Sequence, residues 1–395
     1  MSTPGRIVVV GASLAGVRTA KALRRKGFDG PLAIIGEEDE LPYDRPPLSK
    51  QFLTADEPAL KPLEKEDFYD GVELRLGQRA VGLDRAAGAV RLADGTEVTG
   101  EHVVIATGTR ARSLPLLPDG ERVARLRSAA DAVRIRAALA EVRSLVVIGG
   151  GFIGCEVAAS AGSLGIDVTI VEPAVAPVVR GVGEWVGGVL ADVHRDHGVD
   201  VRLGVAVAHA EHRSSGVSVV LTDGTRIETE FVVVGIGAQA CTDWLAGSGL
   251  PLADGVVCDD RCRVAGGGGR IWAAGDVARW PSGTFGGDRR VEHWTNAVEQ
   301  SAVVAANLLD DGSDVRHDPV PYVWSDQYGH KIQILGDVGS RFETTLLQGS
   351  VAERRFAVAY ADQGVLCGVV AFDMPREIVQ KRPLIARAAR MADAG

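Results

Sequence analysis

The stretch SLVVIGGGFIGCEVAASAGSLGIDVTIVEP, residues 144–173, carries the pattern that decides the fold. An apolar run at 145–148 breaks at glycines in the spacing Gly149, Gly151, Gly154, and a second apolar run ends at Glu172, 18 residues beyond Gly154. This is strand, tight turn, helix and strand, the βαβ unit from which parallel sheets are built. The first glycine of such a turn permits the bend, the second lets a diphosphate approach the backbone, and the third lets helix pack on strand. The helix N-terminus favours the phosphate charge, and the acid takes ribose hydroxyls. A carboxylate repels a 2′-phosphate, so Glu172 points to NADH in preference to NADPH. The competing reading is a glycine-rich turn that holds no ligand.

The same grammar stands at RIVVVGASLAGVRTAKAL, residues 6–23, with Gly11, Ser13 and Gly16 and with Glu37 following 21 residues after Gly16. Gly11 matches Gly149, Gly16 matches Gly154 and Gly27 matches Gly165, a constant offset of 138. An internal repeat of a nucleotide-binding unit suggests two nucleotides in one chain. Ser13 departs from the pattern by placing a side chain where a backbone should approach a diphosphate, although its hydroxyl can itself donate to a phosphate oxygen. Each unit is followed by alternating strands around a D-G turn, AVRLADGTEVTGEHVVIATG and VSVVLTDGTRIETEFVVVGIG. A later strand ends at Gly275 and Asp276 and is suited to rejoin the first sheet. Beyond a polar linker at 310–318 come short strands such as KIQILGDV and a basic helical tail from Pro375, the texture of a third, α+β domain.

At 395 residues the chain has room for two or three cores, and its formal net charge of −9 weighs against a nucleic-acid or anionic-membrane partner. The five cysteines, Cys155, Cys241, Cys258, Cys262 and Cys367, are scattered without a C-x-x-C pair, so neither a disulfide framework nor a zinc site is indicated. His194 and His197 lack partners with ligand spacing, and no metal site is expected. The start MSTPGRIVVV shows no secretory pattern, and no window is apolar enough for a membrane helix, so a soluble cytoplasmic protein is expected. Monomer is the default, since no long apolar stripe asks for a partner. In YDRPPLSK, residues 43–50, two prolines stiffen the segment; it is either a surface loop or a device that fixes Arg45 and Lys50.

These segments, taken with VVIATGTRAR, WAAGDVARW, VEHWTNAVEQ and VWSDQYGHKIQILG, occur in an order and spacing that resembles FAD-dependent, NADH-using ferredoxin reductases serving cytochromes P450 and ring-hydroxylating dioxygenases. The resemblance spans nearly the whole chain, and RPPLSK and WSDQY are its more specific parts. It implies an α/β, glutathione-reductase-like fold: two Rossmann-like domains, for FAD (1–113 and 239–318) and NAD (114–238), and a C-terminal α+β domain (319–395). It implies FAD held by Gly11, Ala15, Gly16 and Glu37 at its adenosine end, by Arg45, Lys50, Ala80 and Arg127 elsewhere, by Asp276 at the ribityl or diphosphate part, and by the Trp294 backbone at the ring. NADH would use Gly149, Gly151, Ile153, Gly154 and Glu172, with Gly237 toward the nicotinamide. Lys50 and Glu156 would pair beside flavin N5 and Trp324 would lie near the ring edge, whereas ordinary helix-surface charges and core tryptophans are the plainer readings. The tail residues Arg376, Lys381, Arg382, Arg387 and Arg390 are either a solvated face or a patch that steers an acidic ferredoxin.

Two other functions compete with this reading. One is an NADH-dependent reductase of a small acceptor such as oxygen, a quinone or monodehydroascorbate, working without a redox-active cysteine. The other is a protein resembling apoptosis-inducing factor, whose NADH binding serves sensing; its acidic charge and lack of a targeting segment weigh against it.

Overall fold

The computed structural model describes residues 4–310 and 312–393; Asp311 of the polar linker lies outside them. The chain forms two compact units, one from residues 1–44, 61–110 and 239–321, the other from 45–60, 111–238 and 322–395.

The first unit is built on a five-stranded sheet in the order Ile271–Ala273, His102–Ile105, Ile7–Val10, Leu32–Ile35, Glu73–Arg75, with every pair parallel. Strand Ile7–Val10 reads IVVV because a central parallel strand is covered on both faces, and its four side chains are at most 2% exposed. The chain leaves this strand toward Leu32–Ile35 on one side and finds His102–Ile105 on the other, so a topological switch point lies at its carboxyl end, where open α/β sheets bind ligands. The strand that ends before Gly275 does rejoin this sheet, beside His102–Ile105.

The second unit repeats the plan. Its parallel sheet runs Asp200–Leu203, Asp167–Glu172, Ser144–Ile148, Phe231–Val234, Val123–Ala124, with Ser144–Ile148 at the equivalent switch point. Each unit also carries a three-stranded antiparallel sheet, Ala80–Asp84 with Ala89–Leu92 and Glu97–Thr99, and Val207–His212 with Val217–Leu221 and Arg226–Thr229. The D-G turns match in detail: Gly95 and Gly224 take φ of +87° and +86°, and Asp94 and Asp223 each accept from the N–H two residues on, at 2.9 Å. Those bonds hold both exposed carboxyls below their ordinary range.

The C-terminal residues of the second unit form an antiparallel sheet, Tyr322–Gln327, His330–Gly336, Val365–Phe372, Arg355–Asp362, Glu343–Ser350, followed by helix Pro375–Ala386. The helical segment Val179–Asp196, broken by a kink at Gly183, lays Val182, Val186, Leu190 and Val193 against Ile332, Phe356, Val358 and Phe372, and the two phenylalanine rings stack 4.9 Å apart. Each such side chain taken from water contributes about 1.5–3 kcal/mol. The basic tail is less basic in space than in sequence: Lys381 is buried and paired with the buried Glu377 at 3.6 Å, and Arg382 lies over the Tyr322 ring.

Candidate functional site: two glycine turns and a buried lysine–glutamate pair

In the first unit Gly11 has φ +122°, and a Cβ there would stand 2.1 Å from the carbonyl oxygen of Ala106. A Cβ on Gly16 would stand 1.9 Å from Gly11 O. Both positions are therefore closed to any side chain. Helix Leu14–Arg25 follows, with Ser13 as its N-cap but without a side-chain capping bond and with no acid in the first turn. Its leading N–H groups and dipole form an anion cradle of the kind that takes a diphosphate. Glu37 is exposed two residues past strand Leu32–Ile35, and a Cβ on its neighbour Gly36 would touch Ala12 Cβ, so the acid stands at the mouth of the turn.

Other parts of the first unit close on the same turn. Gly275 has φ +80° and leaves only 2.8 Å between an added Cβ and Ala15 Cβ, which brings Asp276 to the turn, where it accepts from Thr109 Oγ1 at 3.2 Å. Ser301 Oγ shares its proton between Ala297 O of its own helix at 2.6 Å and Ala15 O at 2.8 Å, tying helix Trp294–Leu309 to helix Leu14–Arg25. Trp294 opens that helix and donates Nε1–H to Asp44 Oδ1 at 2.9 Å. Ala80 is not joined to the turn by these contacts; it heads strand Ala80–Asp84 opposite Leu92.

The second unit has the same closed turn. A Cβ on Gly149, φ +104°, would lie 2.4 Å from Gly235 O, and one on Gly154 would lie 2.1 Å from Gly149 O. Gly151 differs: an added Cβ would meet only Gly235 O, at an ordinary 3.7 Å. Glu172 ends its strand with both carboxylate oxygens placed, Oε2 accepting from Gly150 N at 2.6 Å and Oε1 from Ala174 N at 2.8 Å. Ile153 is exposed in the first helical turn, and Gly237, φ +102°, accepts from Arg112 N through its carbonyl.

The prolines of RPPLSK build a short 3-10 turn, Pro46–Ser49, that presents Ser49 and Lys50 to helix Phe152–Ser163. Lys50 Nζ lies 2.7 Å from Glu156 Oε2, and Glu156 is only 3% exposed. Ser49 Oγ donates to the same oxygen at 2.5 Å, Ser325 Oγ donates to Oε1 at 2.6 Å, and Lys50 also donates to Pro46 O at 3.1 Å. The two serine hydroxyls escaped the reading of the sequence, though each sits inside one of its most specific segments. Removing one partner of such a buried pair leaves an uncompensated charge and is destabilising by about 3–5 kcal/mol. Arg45 donates to Arg127 O at 2.6 Å, beside the capping box of Ser128 and Asp131. Trp324 shares a strand with Ser325 and, as alternation requires, points with Tyr322 to the other face, the rings stacked at 6.1 Å.

None of the five cysteines forms a disulfide, and burial pushes the thiols of Cys155, Cys258 and Cys262 well above their usual range. Among the described residues there is no cluster of three metal-ligating side chains and no helix long and apolar enough to cross a membrane. His194 and His197, three residues apart, bond to Gln327, Tyr328 and a backbone carbonyl.

The sequence matches the family described as pyridine nucleotide-disulphide oxidoreductase over residues 5–301 and the reductase C-terminal family over 322–395. The chain is a pyridine nucleotide-disulphide oxidoreductase family member. Within that family it is 38% identical over 387 residues to the ferredoxin–NAD(+) reductase component of an anthranilate 1,2-dioxygenase system from Burkholderia cepacia, covering 97% of this chain and 94% of the relative. It is 36% identical over 391 residues to rhodocoxin reductase from Rhodococcus erythropolis, covering 96% and 89%. It superposes on putidaredoxin reductase, solved in covalent complex with putidaredoxin, with a TM-score of 0.92 and 31% identity over 98% of this chain and 94% of that one.

Proposed function

We propose that this oxidoreductase takes hydride from NADH onto FAD and passes electrons singly to an iron–sulfur ferredoxin that supplies a cytochrome P450 or similar oxygenase. One observation carries the reading: the chain has two closed dinucleotide turns, no C-x-x-C pair, and buried thiols at Cys155, Cys258 and Cys262 whose pKa burial raises, so a flavin and not a reactive thiolate is the natural carrier for electrons entering from a nicotinamide. FAD supplies the conversion between two-electron and one-electron chemistry when bound.

The residues do the rest by binding and placing. Gly11, Ala15, Gly16 and the helix behind them cradle the FAD diphosphate, with Ser13 adding a hydroxyl and Glu37 taking the ribose. Arg45, Lys50, Ala80, Arg127, Asp276 and Trp294 complete the FAD contacts. Gly149, Gly151, Ile153, Gly154 and Gly237 receive NADH. Glu172, anchored by two backbone N–H groups, keeps lone pairs for a ribose diol and a charge that repels a 2′-phosphate. Lys50, held by Glu156, offers a fixed cation to the negative charge that builds on a reduced ring, a tuning role that moves no proton. Trp324 would lie near the ring edge. Residues 1–113 and 239–318 serve FAD, 114–238 serve NAD and 319–395 form the C-terminal domain of a cytoplasmic monomer without nucleic-acid or membrane partners.

The test is anaerobic mixing with NADH, then candidate ferredoxins with a cytochrome c readout. Flavin bleaching that only a ferredoxin discharges rapidly is expected. Equal discharge by oxygen or a quinone would move the reading to a small-acceptor reductase, and a long-lived reduced complex that nothing discharges would move it to a sensor.

A further inference from the structure

The Lys50–Glu156 pair is one end of a longer chain of buried polar groups. Beyond Glu156 Oε1 and Ser325 Oγ, the amide Nε2 of Gln327 stands 3.0 Å from Ser325 Oγ, Gln327 Oε1 stands 3.1 Å from His194 Nε2, and His194 Nδ1 stands 2.9 Å from the Tyr328 hydroxyl. Ser325, Gln327 and His194 are at most 2% exposed.

The direction of the chain follows from its end. A carboxylate paired with an ammonium only accepts, so the Ser325 hydroxyl spends its one proton on Glu156 and its oxygen accepts from the Gln327 amide. The Gln327 carbonyl then accepts from His194 Nε2–H, which leaves Nδ1 to accept from the Tyr328 hydroxyl. Every donor points toward Glu156, and aligned bonds of this kind polarise one another. The arrangement needs a neutral imidazole, and burial pushes the His194 pKa down to about 4. Tyr328 is held for the purpose: it takes φ +52° in the tight turn before Gly329, a conformation unusual for a bulky residue, and His197 stacks on its ring at 3.9 Å.

The chain divides the work of the two carboxylate oxygens. Oε1 belongs to the donor chain, while Oε2 is left to Ser49 and Lys50. We propose that Ser325, Gln327 and His194 are positioning residues, which fix the orientation of the Glu156 carboxylate and, through it, the place of the Lys50 ammonium. The proposal rests on the functional reading above, in which that ammonium faces the flavin.

Ser325→Ala breaks the chain next to Glu156, His194→Leu breaks it two links away, and His194→Gln keeps an amide donor for Gln327. Each FAD-loaded variant is matched to wild type in flavin content and melting temperature. The limiting rate and apparent Kd for NADH in anaerobic stopped-flow, and the flavin reduction potential against reference dyes, are then measured. Imidazole 15N shifts report the His194 tautomer in the wild-type protein. Ser325→Ala and His194→Leu are expected to shift the potential and slow the limiting rate about tenfold, the worth of one hydrogen bond to a charged group, with Kd unchanged. His194→Gln restores the rate to within about twofold of wild type, and wild-type His194 is the Nε2–H tautomer. Wild-type rates and potentials in folded Ser325→Ala, equal losses in His194→Leu and His194→Gln, or an Nδ1–H tautomer each overturn the proposal. If His194→Leu does not fold, Ser325→Ala and the tautomer decide. Failure of the ferredoxin reading shows separately, as wild-type flavin that NADH reduces and no ferredoxin discharges, and it leaves these readouts intact.

Discussion

The turn at 11–16 and the turn at 149–154 agree at their ends and differ in the middle. At Gly11 and Gly149, and again at Gly16 and Gly154, an added Cβ would meet a carbonyl oxygen at 1.9–2.4 Å. At the middle position the second turn leaves 3.7 Å of room, and the first turn already carries Ser13 there. Two of the three glycines are thus demanded by the protein's own backbone. The middle one is not, and the fold can lose it without strain.

Breaking the shared ends has the largest expected effect, and breaking them one at a time separates the units. Gly16→Ala drives a methyl into Gly11 O, which belongs to the same turn and has nowhere to go, so FAD content is expected to collapse. Gly154→Ala does the same in the second unit, where FAD is expected to remain bound and NADH to lose its ability to bleach it. Flavin absorbance and anaerobic NADH titration of each variant check this. FAD loss in both, or in neither, would contradict the assignment of one nucleotide to each turn.

The acids behind the turns give the next contrast. Glu172 is tied to Gly150 N and Ala174 N, whereas Glu37 is exposed at the mouth of its turn. Glu172→Gln preserves an oxygen acceptor and removes the charge. The preference for NADH over NADPH, as a ratio of kcat/KM values, is expected to fall by about tenfold or more, since a like-charge contact near a protein surface is worth a few kcal/mol. An unchanged ratio would mean that the carboxylate does not face the 2′ position.

Both units also bury histidines at the far end of hydrogen-bond chains. His194 reaches Glu156 through Gln327 and Ser325; His317 reaches Gly275 N through Asn296 and Gln300. Burial pushes both pKa values down to about 4, from 6.5. As pH falls below 6.5 the unfolded chain takes up protons that the folded one refuses, so stability is full above 6.5 and is lost down to about 4, after which both states are protonated. The loss is on the order of 2–3 kcal/mol for each histidine. Denaturant midpoints from pH 7 to 4 should fall more steeply for wild type than for His194→Gln or His317→Gln. Parallel curves would show that these rings do not titrate as burial dictates.

The contrast between turns and chains also separates what was legible in the sequence from what was not. The two sheets, the D-G hairpins and the strand returning before Asp276 were legible because glycine spacing and apolar runs are local and repeat at a fixed offset. The Lys50–Glu156 contact was reachable only through resemblance. Ser49 and Ser325 lie 107 and 169 residues from the carboxylate they serve, and no periodicity joins positions so far apart. His194 was legible only as a histidine without metal-ligand spacing; its role depends on a hairpin of the C-terminal sheet packing beside its helix. Lys381 shows the opposite failure, since a count of basic residues cannot see Glu377 burying one of them.

The smallest effect is expected at the one position where the two turns differ. Ser13→Gly makes the first turn like the second. The room at Gly151 shows that the fold has no steric stake in the change; the greater flexibility of glycine in the unfolded chain lowers stability by about 0.5–1 kcal/mol, which thermal unfolding checks. If the hydroxyl donates to the diphosphate, FAD affinity falls about tenfold or more, the net worth of one hydrogen bond to a charged group. Gly151→Ser is the reciprocal experiment, and it is the more informative of the two. If it leaves NADH affinity within that same factor, a serine in the middle of the turn is compatible with either nucleotide and Ser13 is a neutral variation. If NADH binding is lost while FAD binding and stability hold, the second turn needs the close backbone approach that the first has exchanged for a hydroxyl, and the two turns grip their diphosphates differently.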